Sequence, residues 1–198
     1  MRSTTPRDLI GHCPRCLLHW EICVCSMIPR VEARTEIVLI RHITEQLMTS
    51  NTGRFAALAL PRARILDYGG GEAFDASPLR APGTALLYCS GPVRPLPFLP
   101  VRLIVLDGSF RQARRMYKRV PELRDLPEFS LPAPRVTPTR LRQPTRAEGM
   151  STIEAIAAAL SALEGPELAA PLWALHAELV SRADRMRGRK RELVPSGP

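Results

Sequence analysis

Hydrophobic positions along this chain come in short blocks, each followed by a polar turn and then by a helical pattern. The densest block is Leu103-Ile104-Val105-Leu106. A continuous apolar run of that length, without alternation, predicts a strand buried on both faces. It ends on Asp107-Gly108-Ser109, residue types that open a turn and cap a helix. The spacing predicts that helix over 110–118, with Arg111, Arg114, Arg115 and Lys118 on its surface. Residues 36–40 predict a second buried strand, running into the polar exit Arg41-His42-Ile43-Thr44-Glu45. A polar loop over 49–54 then precedes a helix over 55–60, which Pro61 ends. Shorter strands are predicted over 65–68, 84–89 and 129–131, with proline-rich connections over 92–100 and 121–138. Ser151-Thr152-Ile153-Glu154 has the form of a capping box. The helix it opens runs to about Glu164, with Ile153, Ile156, Ala157, Leu160 and Leu163 on one face and Gly165-Pro166 as its stop. A last helix is predicted over 168–186. Strands alternating with helices predict an α/β fold with a mostly parallel sheet.

That architecture says where chemistry belongs. In open α/β sheets ligands bind beyond the carboxyl ends of strands and against helix N-termini. Asp107 follows the most buried strand and is the first candidate; the alternative is that Asp107 or Ser109 only caps the next helix. His42, Asn51, Thr52 and Arg54 would share a neighbouring rim, each with the alternative of a cap or a solvated loop residue. Glu154 has reciprocal capping as its plain reading, and contact with a zwitterionic ligand as its functional one.

Composition narrows the picture. With 198 residues, 45% of them hydrophobic, the chain suffices for one sizeable domain with a small appendage. No apolar run is long enough to span a bilayer, and the N-terminus lacks the apolar core of a secretory signal; the expectation is a cytoplasmic protein without a membrane partner. The formal charge of +9 points to a polyanionic partner, nucleic acid first. Lys118 and Lys190 are the only lysines, so arginine carries nearly all of that charge. Aromatics at 5% exclude a broad base-stacking platform and favour recognition by shape and phosphate. Residues 182–191 hold six basic side chains and one acid, the pattern of a solvated tail that touches phosphates.

Cysteine spacing adds a metal site. Cys13 and Cys16 form C-x-x-C, and Cys23 and Cys25 form C-x-C after a six-residue gap. Four thiolates so close fit a tetrahedral zinc site with a structural role, and His12 or His19 can each stand in for one sulfur. Cys89 is expected to be a buried free thiol. No internal repeat, Gly-x-Gly-x-x-Gly or Walker loop is present.

Taken together, the motifs resemble the DTW-domain family, the tRNA-uridine aminocarboxypropyltransferases. The cysteine cluster resembles the family's N-terminal one. His42 with Glu45, then Asn51-Thr52, is similar to its His-x-x-Glu…Asn-Thr stretch. Leu106-Asp107-Gly108-Ser109-Phe110 with Ala113-Arg114 resembles its Asp-x-Thr-Trp signature, and Ser151-Thr152-Ile153-Glu154-Ala155 its Ser-Thr-x-Glu-Ala motif. Ser109-Phe110 stands where the signature has Thr-Trp; the hydroxyl is kept and the indole N–H is lost. The resemblance implies a SPOUT-like fold with a C-terminal trefoil knot. It implies a zinc-binding segment over 1–30 and a catalytic domain over 31–198, with S-adenosylmethionine (SAM) as donor and tRNA as partner. The expected reaction moves the 3-amino-3-carboxypropyl group to N3 of a uridine and releases methylthioadenosine. Asp107 is then the expected catalytic group. The SAM pocket is expected from Ser90, Gly91, Leu106, Asp107, Gly108, Ser109, Leu131, Leu141, Ser151, Thr152 and Glu154. RNA contacts are expected from His42, Asn51, Thr52, Arg54, Phe110, Arg114 and Arg142. A SAM-dependent RNA methyltransferase on the same fold, and a non-catalytic zinc-ribbon RNA binder, are the alternative readings.

Overall fold

Five short parallel strands form one sheet in the computed structural model, which describes residues 9–71, 73–88, 96, 98–131, 141 and 149–193. The strands are β1 (Glu36–His42), β2 (Arg64–Tyr68), β3 (Thr84–Leu87), β4 (Arg102–Asp107) and β5 (Glu128–Phe129), in the spatial order β2-β1-β4-β3-β5. Every neighbouring pair is parallel. The helices are α1 (Gly53–Ala59), α2 (Phe110–Arg119), α3 (Thr152–Glu164) and α4 (Pro166–Leu193). Ser90, Gly91, Cys89 and Arg142 lie outside the described residues, as do 132–140 and 143–148 of the connection between β5 and α3.

The central strands are apolar on both faces because both faces are covered. Ile37, Leu39, Leu103 and Val105 pack with Phe55 of α1, with Ile153, Ile156 and Leu160 of α3, and with Leu172, Leu175 and Leu179 of α4. Val38, Ile40, Leu86 and Ile104 pack on the other face, with Leu79, Met116 of α2, Val120 and Leu123. Cys13, Cys16, Leu18 and Val24 belong to the first of these cores, so the cysteine segment is built onto the α1/α3/α4 face.

The chain crosses from β1 to β2 through α1 on one face, and from β4 toward β5 through α2 on the other. β1 and β4 are neighbours, so the order reverses between their carboxyl ends. That makes a topological switch point, the usual ligand crevice of such a sheet. The register sets Arg41 of β1 beside Asp67 of β2 and beside Asp107 of β4.

The elements differ from the pattern at their ends. β1 continues past the apolar block through Arg41 and His42, because ladder bonds to β2 and β4 hold polar residues in strand geometry where hydropathy alone would stop. β5 is Glu128–Phe129 rather than 129–131; Ser130 instead donates its hydroxyl to Tyr88 O at 3.1 Å. The largest correction concerns residues 182–191, expected as a solvated tail. They form the last turns of α4, and Arg182 is tied down, donating to Glu178 Oε1 at 2.6 Å, to Met27 Sδ at 2.8 Å and to the carbonyl of Cys23. Proline at the first position starts α4 without a linker; Gly165, at φ +108° and ψ 153°, ends α3 in a backbone region open essentially to glycine alone. No helix among the described residues is long and apolar enough to cross a membrane.

Candidate active site

Asp107 is the last residue of β4 and is only 2% exposed. Its side chain points to the α1/α3 face. Oδ2 accepts from the Asn51 amide at 2.7 Å, and Oδ1 accepts from the Thr152 hydroxyl at 2.6 Å. Burial pushes its carboxyl above the usual carboxylate range, against the lowering effect of those two bonds; Glu45 adds to the rise and Arg41 opposes it. Asp107 does not cap α2. Ser109 does, accepting from Gln112 N at 3.4 Å, while the Gln112 side chain accepts from Ser109 N at 2.7 Å. The acid is therefore held by two distant elements rather than by its own helix.

Asn51 and Thr152 do the holding, and Thr52 ties their two elements together. Asn51 Oδ1 also accepts from Arg54 N at 2.9 Å, closing the first turn of α1, and Thr52 Oγ1 accepts from Ile153 N at 3.3 Å. Gly53 stands so close that a Cβ there would lie 2.6 Å from Asp107 Oδ2 and 2.8 Å from Leu39 Cδ2. The glycine is required by the approach of the acid, not by its backbone angles. On α3, Ser151 N donates to Glu154 Oε2 at 2.8 Å and Glu154 N donates to Ser151 Oγ at 3.4 Å. Glu154 and Ser151 both face His176 of α4, whose Nε2 lies 4.0 Å from Glu154 Oε2 and 3.5 Å from Ser151 Oγ.

Arg54 is folded inward. It is buried, with its guanidinium donating to Gln46 O at 2.6 Å, Met48 O at 3.1 Å and Cys16 O at 3.5 Å. Burial, with Arg41 beside it, lowers its pKa to about 10. Arg41 is likewise buried and makes a two-pronged pair with Asp67, at 2.8 and 3.0 Å.

The other side of the crevice is a polar rim. His42 Nδ1 accepts from Thr44 N at 3.3 Å and lies 2.9 Å from Thr44 Oγ1 and 3.3 Å from Gln112 Nε2. Gln112 Nε2 donates to Thr44 Oγ1 at 2.8 Å. Burial lowers the His42 pKa, with Arg115 adding to the effect against Glu45, so its imidazole is neutral at pH 7, with Nδ1 as acceptor and the proton on Nε2. Leu106 points away from Asp107, into the α2 face. Gly108 and Ser109 form the turn between strand and helix, and Phe110 (37% exposed) and Arg114 lie on the surface of α2. Leu131 is buried in the first core, and Leu141 packs against that core and accepts from Arg187 through its carbonyl.

So the fold gathers Asp107, Asn51, Thr52, Arg54, Ser151, Thr152 and Glu154 on one face, and His42, Gly108, Ser109, Phe110 and Arg114 along the opposite rim. Sequence reasoning passed over Gln112, Arg41 and His176. Gln112 carries a signal, as the third residue after a capping serine; Arg41 and His176 become polar partners only through contacts distant in the chain.

The cysteines converge as their spacing implies. All four sulfurs lie within 4.8 Å of one another. Cys13 Sγ is 3.6 Å from Cys25 Sγ, and Cys16 Sγ is 3.7 Å from Cys23 Sγ. Ligands about 2.3 Å from a tetrahedral ion stand about 3.8 Å apart, so the donor set and its spacing fit a metal ion. The Cys13–Cys16 loop folds back on itself, with Leu17 N on Cys13 O and Cys13 N on Leu18 O, both at 2.8 Å, and Leu17 at φ +60°. His12 and His19 are not in the sulfur cluster. They pack edge to face with ring centroids 5.5 Å apart, and His19 Nδ1 accepts from Glu21 N.

Comparison with known proteins places the chain in a family. The DTW domain model matches residues 11–183, a span that includes the sulfur cluster and both sides of the crevice. A fruit-fly (Drosophila melanogaster) protein named tRNA-uridine aminocarboxypropyltransferase 2 is 30% identical over 183 residues, 84% of this chain and 72% of its own. A macaque (Macaca fascicularis) protein of the same name is 24% identical over 205 residues, 93% of this chain and 69% of its own. No solved structure matches the chain. With a family match that takes in the cysteine knuckle, the Asp107 bracket and most of α4, the chain belongs to the DTW-domain family.

Proposed function

We propose that this protein transfers the 3-amino-3-carboxypropyl group of SAM to N3 of a uridine in tRNA, releasing methylthioadenosine, on a SPOUT-like knotted fold. The observation that carries this reading is Asp107. An acid with a raised pKa is held at the switch point of a parallel sheet, in a chain whose similar proteins bear the name of that transferase. The sulfonium of SAM supplies the leaving group, so the protein's tasks are orientation and proton removal. The aminocarboxypropyl carbon, not the methyl, must face N3 in line. N3 forms the new bond to that carbon, the carbon–sulfur bond breaks, and the N3 proton goes to the protein.

Asp107 is the proposed final acceptor of that proton. Thr152 is the more exposed of its two partners, and its hydroxyl donates to Oδ1. In this reading the hydroxyl passes its own proton to Oδ1 and takes the one from N3. Gly108, Ser109, Ser151, Glu154, Leu106, Leu131 and Leu141, with Ser90 and Gly91, are proposed to shape the SAM pocket. His42, Asn51, Thr52, Phe110 and Arg114, with Arg142, are proposed on the RNA side. Arg54 is proposed to support that side from beneath, since its donors face backbone carbonyls. Cys13, Cys16, Cys23 and Cys25 are proposed to hold a structural zinc ion.

Incubation with SAM and bulk tRNA, followed by nucleoside mass spectrometry, tests the reading. The expected product is uridine heavier by one aminocarboxypropyl group. A uridine heavier by one methyl group would replace the reaction with methyl transfer, and SAM binding absent by calorimetry would leave an RNA-binding protein.

A further inference from the structure

We propose that the outward face of α2 is a docking ridge for the phosphate backbone of the substrate RNA, a proposal that rests on the RNA-directed reading of the site. Arg111, Arg114, Arg115 and Lys118 recur at the i, i+3, i+4 and i+7 positions of one helix, so they line a single face. Arg119 adjoins them. All five are exposed, and the helix contains no acidic residue. Its opposite side is taken up by the core, with Met116 fully buried.

Elsewhere the chain pairs many of its arginines with carboxylates, and what sets this face apart is that its cations lie side by side without one. Arg30 pairs with Glu32, Arg64 with Glu36, Arg80 with Glu122, and Arg182 with Glu178. Among the described residues, the five cations of α2 have no carboxylate partner within ion-pair distance. Like charges at i,i+4 oppose helix formation by a few tenths of a kcal/mol per pair, so the face carries a repulsion that bound phosphates relieve. Arg111 and Lys118 stand about 10 Å apart along the axis, enough for several phosphates of a folded RNA to be reached at once.

The ridge also starts in the right place. α2 follows Asp107 after a two-residue turn, and Phe110, 37% exposed, stands at its first position beside the crevice. An aromatic there can stack on an unpaired base while the arginines hold the flanking backbone. Arg115 is near enough to His42 to help lower its pKa, which ties the middle of the ridge to the rim. An anionic membrane fits less well, because the apolar face that such a helix would insert is buried in the core.

The test uses the full-length protein and two triple variants of equal charge loss. Arg111→Gln/Arg115→Gln/Lys118→Gln removes the ridge; Arg30→Gln/Arg80→Gln/Arg124→Gln removes three exposed cations elsewhere. The ridge variant is expected to bind bulk tRNA roughly tenfold or more weakly, and to lower the slope of log affinity against log salt by about 2–3. The control should lose less than about threefold. Equal losses in the two variants would overturn the proposal. Should the ridge variant melt early, the single Arg111→Gln decides, with a slope change of about 1 expected and no change overturning the ridge. Binding to phosphatidylserine vesicles that depends on α2, without any effect on tRNA binding, would assign the face to a membrane and overturn it as well. Product analysis keeps the two proposals apart. Ridge-dependent tRNA binding without a modified uridine sinks the reaction alone, and a modified uridine with unchanged binding by the ridge variant sinks the ridge alone.

Discussion

Asp107 joins three parts of the chain at one carboxylate. Asn51 and Thr152 each give it a hydrogen bond, and Gly53 makes room for it. Replacing it by Asn keeps the shape, and the Thr152 hydroxyl can turn to accept. Asp107→Asn is therefore expected to fold and to bind SAM nearly as the parent does, while turnover falls roughly 10²–10⁴-fold, the range for a positioned base. Near-parental single-turnover rates would remove Asp107 from catalysis, and a parallel loss of SAM affinity would make it a ligand contact. Thr152→Ser should retain most activity and Thr152→Ala should not, if the hydroxyl carries the proton. The pH dependence has a definite sign. The folded-state pKa of Asp107 is raised, so its contribution to stability is full below the ordinary carboxylate pKa and is lost as pH rises through the folded value. Melting curves of Asp107→Asn and the parent should converge at acid pH, and the difference should move in favour of the variant toward neutrality; a pH-independent difference would contradict this. Gly53→Ala forces a methyl group against a fixed carboxylate and is expected to cost about 1–3 kcal/mol, a fall of roughly 3–10 °C in melting temperature. An unchanged melting temperature would mean that α1 can shift away.

Between elements, the cysteine knuckle is tied to the site from two sides. Arg54 of α1 reaches Cys16 O while its backbone N–H bonds Asn51, which in turn holds Asp107; Arg182 of α4 reaches Cys23 O. Removing the buried guanidinium takes its donor from the carbonyl of Gln46 and leaves that of Met48 with the Asn51 N–H alone. Arg54→Met is expected to destabilise by about 2–4 kcal/mol, as for loss of charged hydrogen bonds in a buried place. Bound metal should remain, because no sulfur is touched. Retained stability in urea would show that Arg54 is free to do other work. Elemental analysis is expected to find one zinc ion per chain in protein purified without chelator, and none after any two of Cys13, Cys16, Cys23 and Cys25 are changed to Ser. A metal-free parent would overturn the zinc assignment.

At the scale of the whole molecule, charge is the dominant long-range property. A formal +9 and about five phosphate contacts should weaken tRNA binding roughly 10²-fold between 50 and 200 mM salt. Affinity that stays flat across that range would refute electrostatic capture. The arrangement of the charge differs from what its linear clustering suggests. The run over 182–191 looks like the phosphate-binding element, yet Arg182 and Arg187 are held by Glu178, Asp184 and backbone carbonyls. The exposed cations of α2, five within residues 111–119, share one face because the helix period lines them up.

Local chemistry was enough to determine much of this protein. Apolar blocks with no alternation mark strands covered on both faces, and β1, β3 and β4 are such strands. Ser151 with Glu154 three residues on announces the start of α3, and Gly165-Pro166 its end. Cys13, Cys16, Cys23 and Cys25 converge because short spacings leave them little freedom to do otherwise. These are all interactions within a few residues, which is the range over which side-chain type and backbone preference are coupled. Tertiary structure decided the rest. It set the strand order, and with it the switch point between β1 and β4. It turned Arg54 inward and gave Asp107 partners from residues 56 and 45 positions away. It kept Arg41 and His42 in a strand that hydropathy would have ended at Ile40. The physical reason is common to all three. Burial of a polar group is tolerable only where distant partners satisfy it, and which partners arrive is a property of the packed molecule, not of the neighbouring sequence.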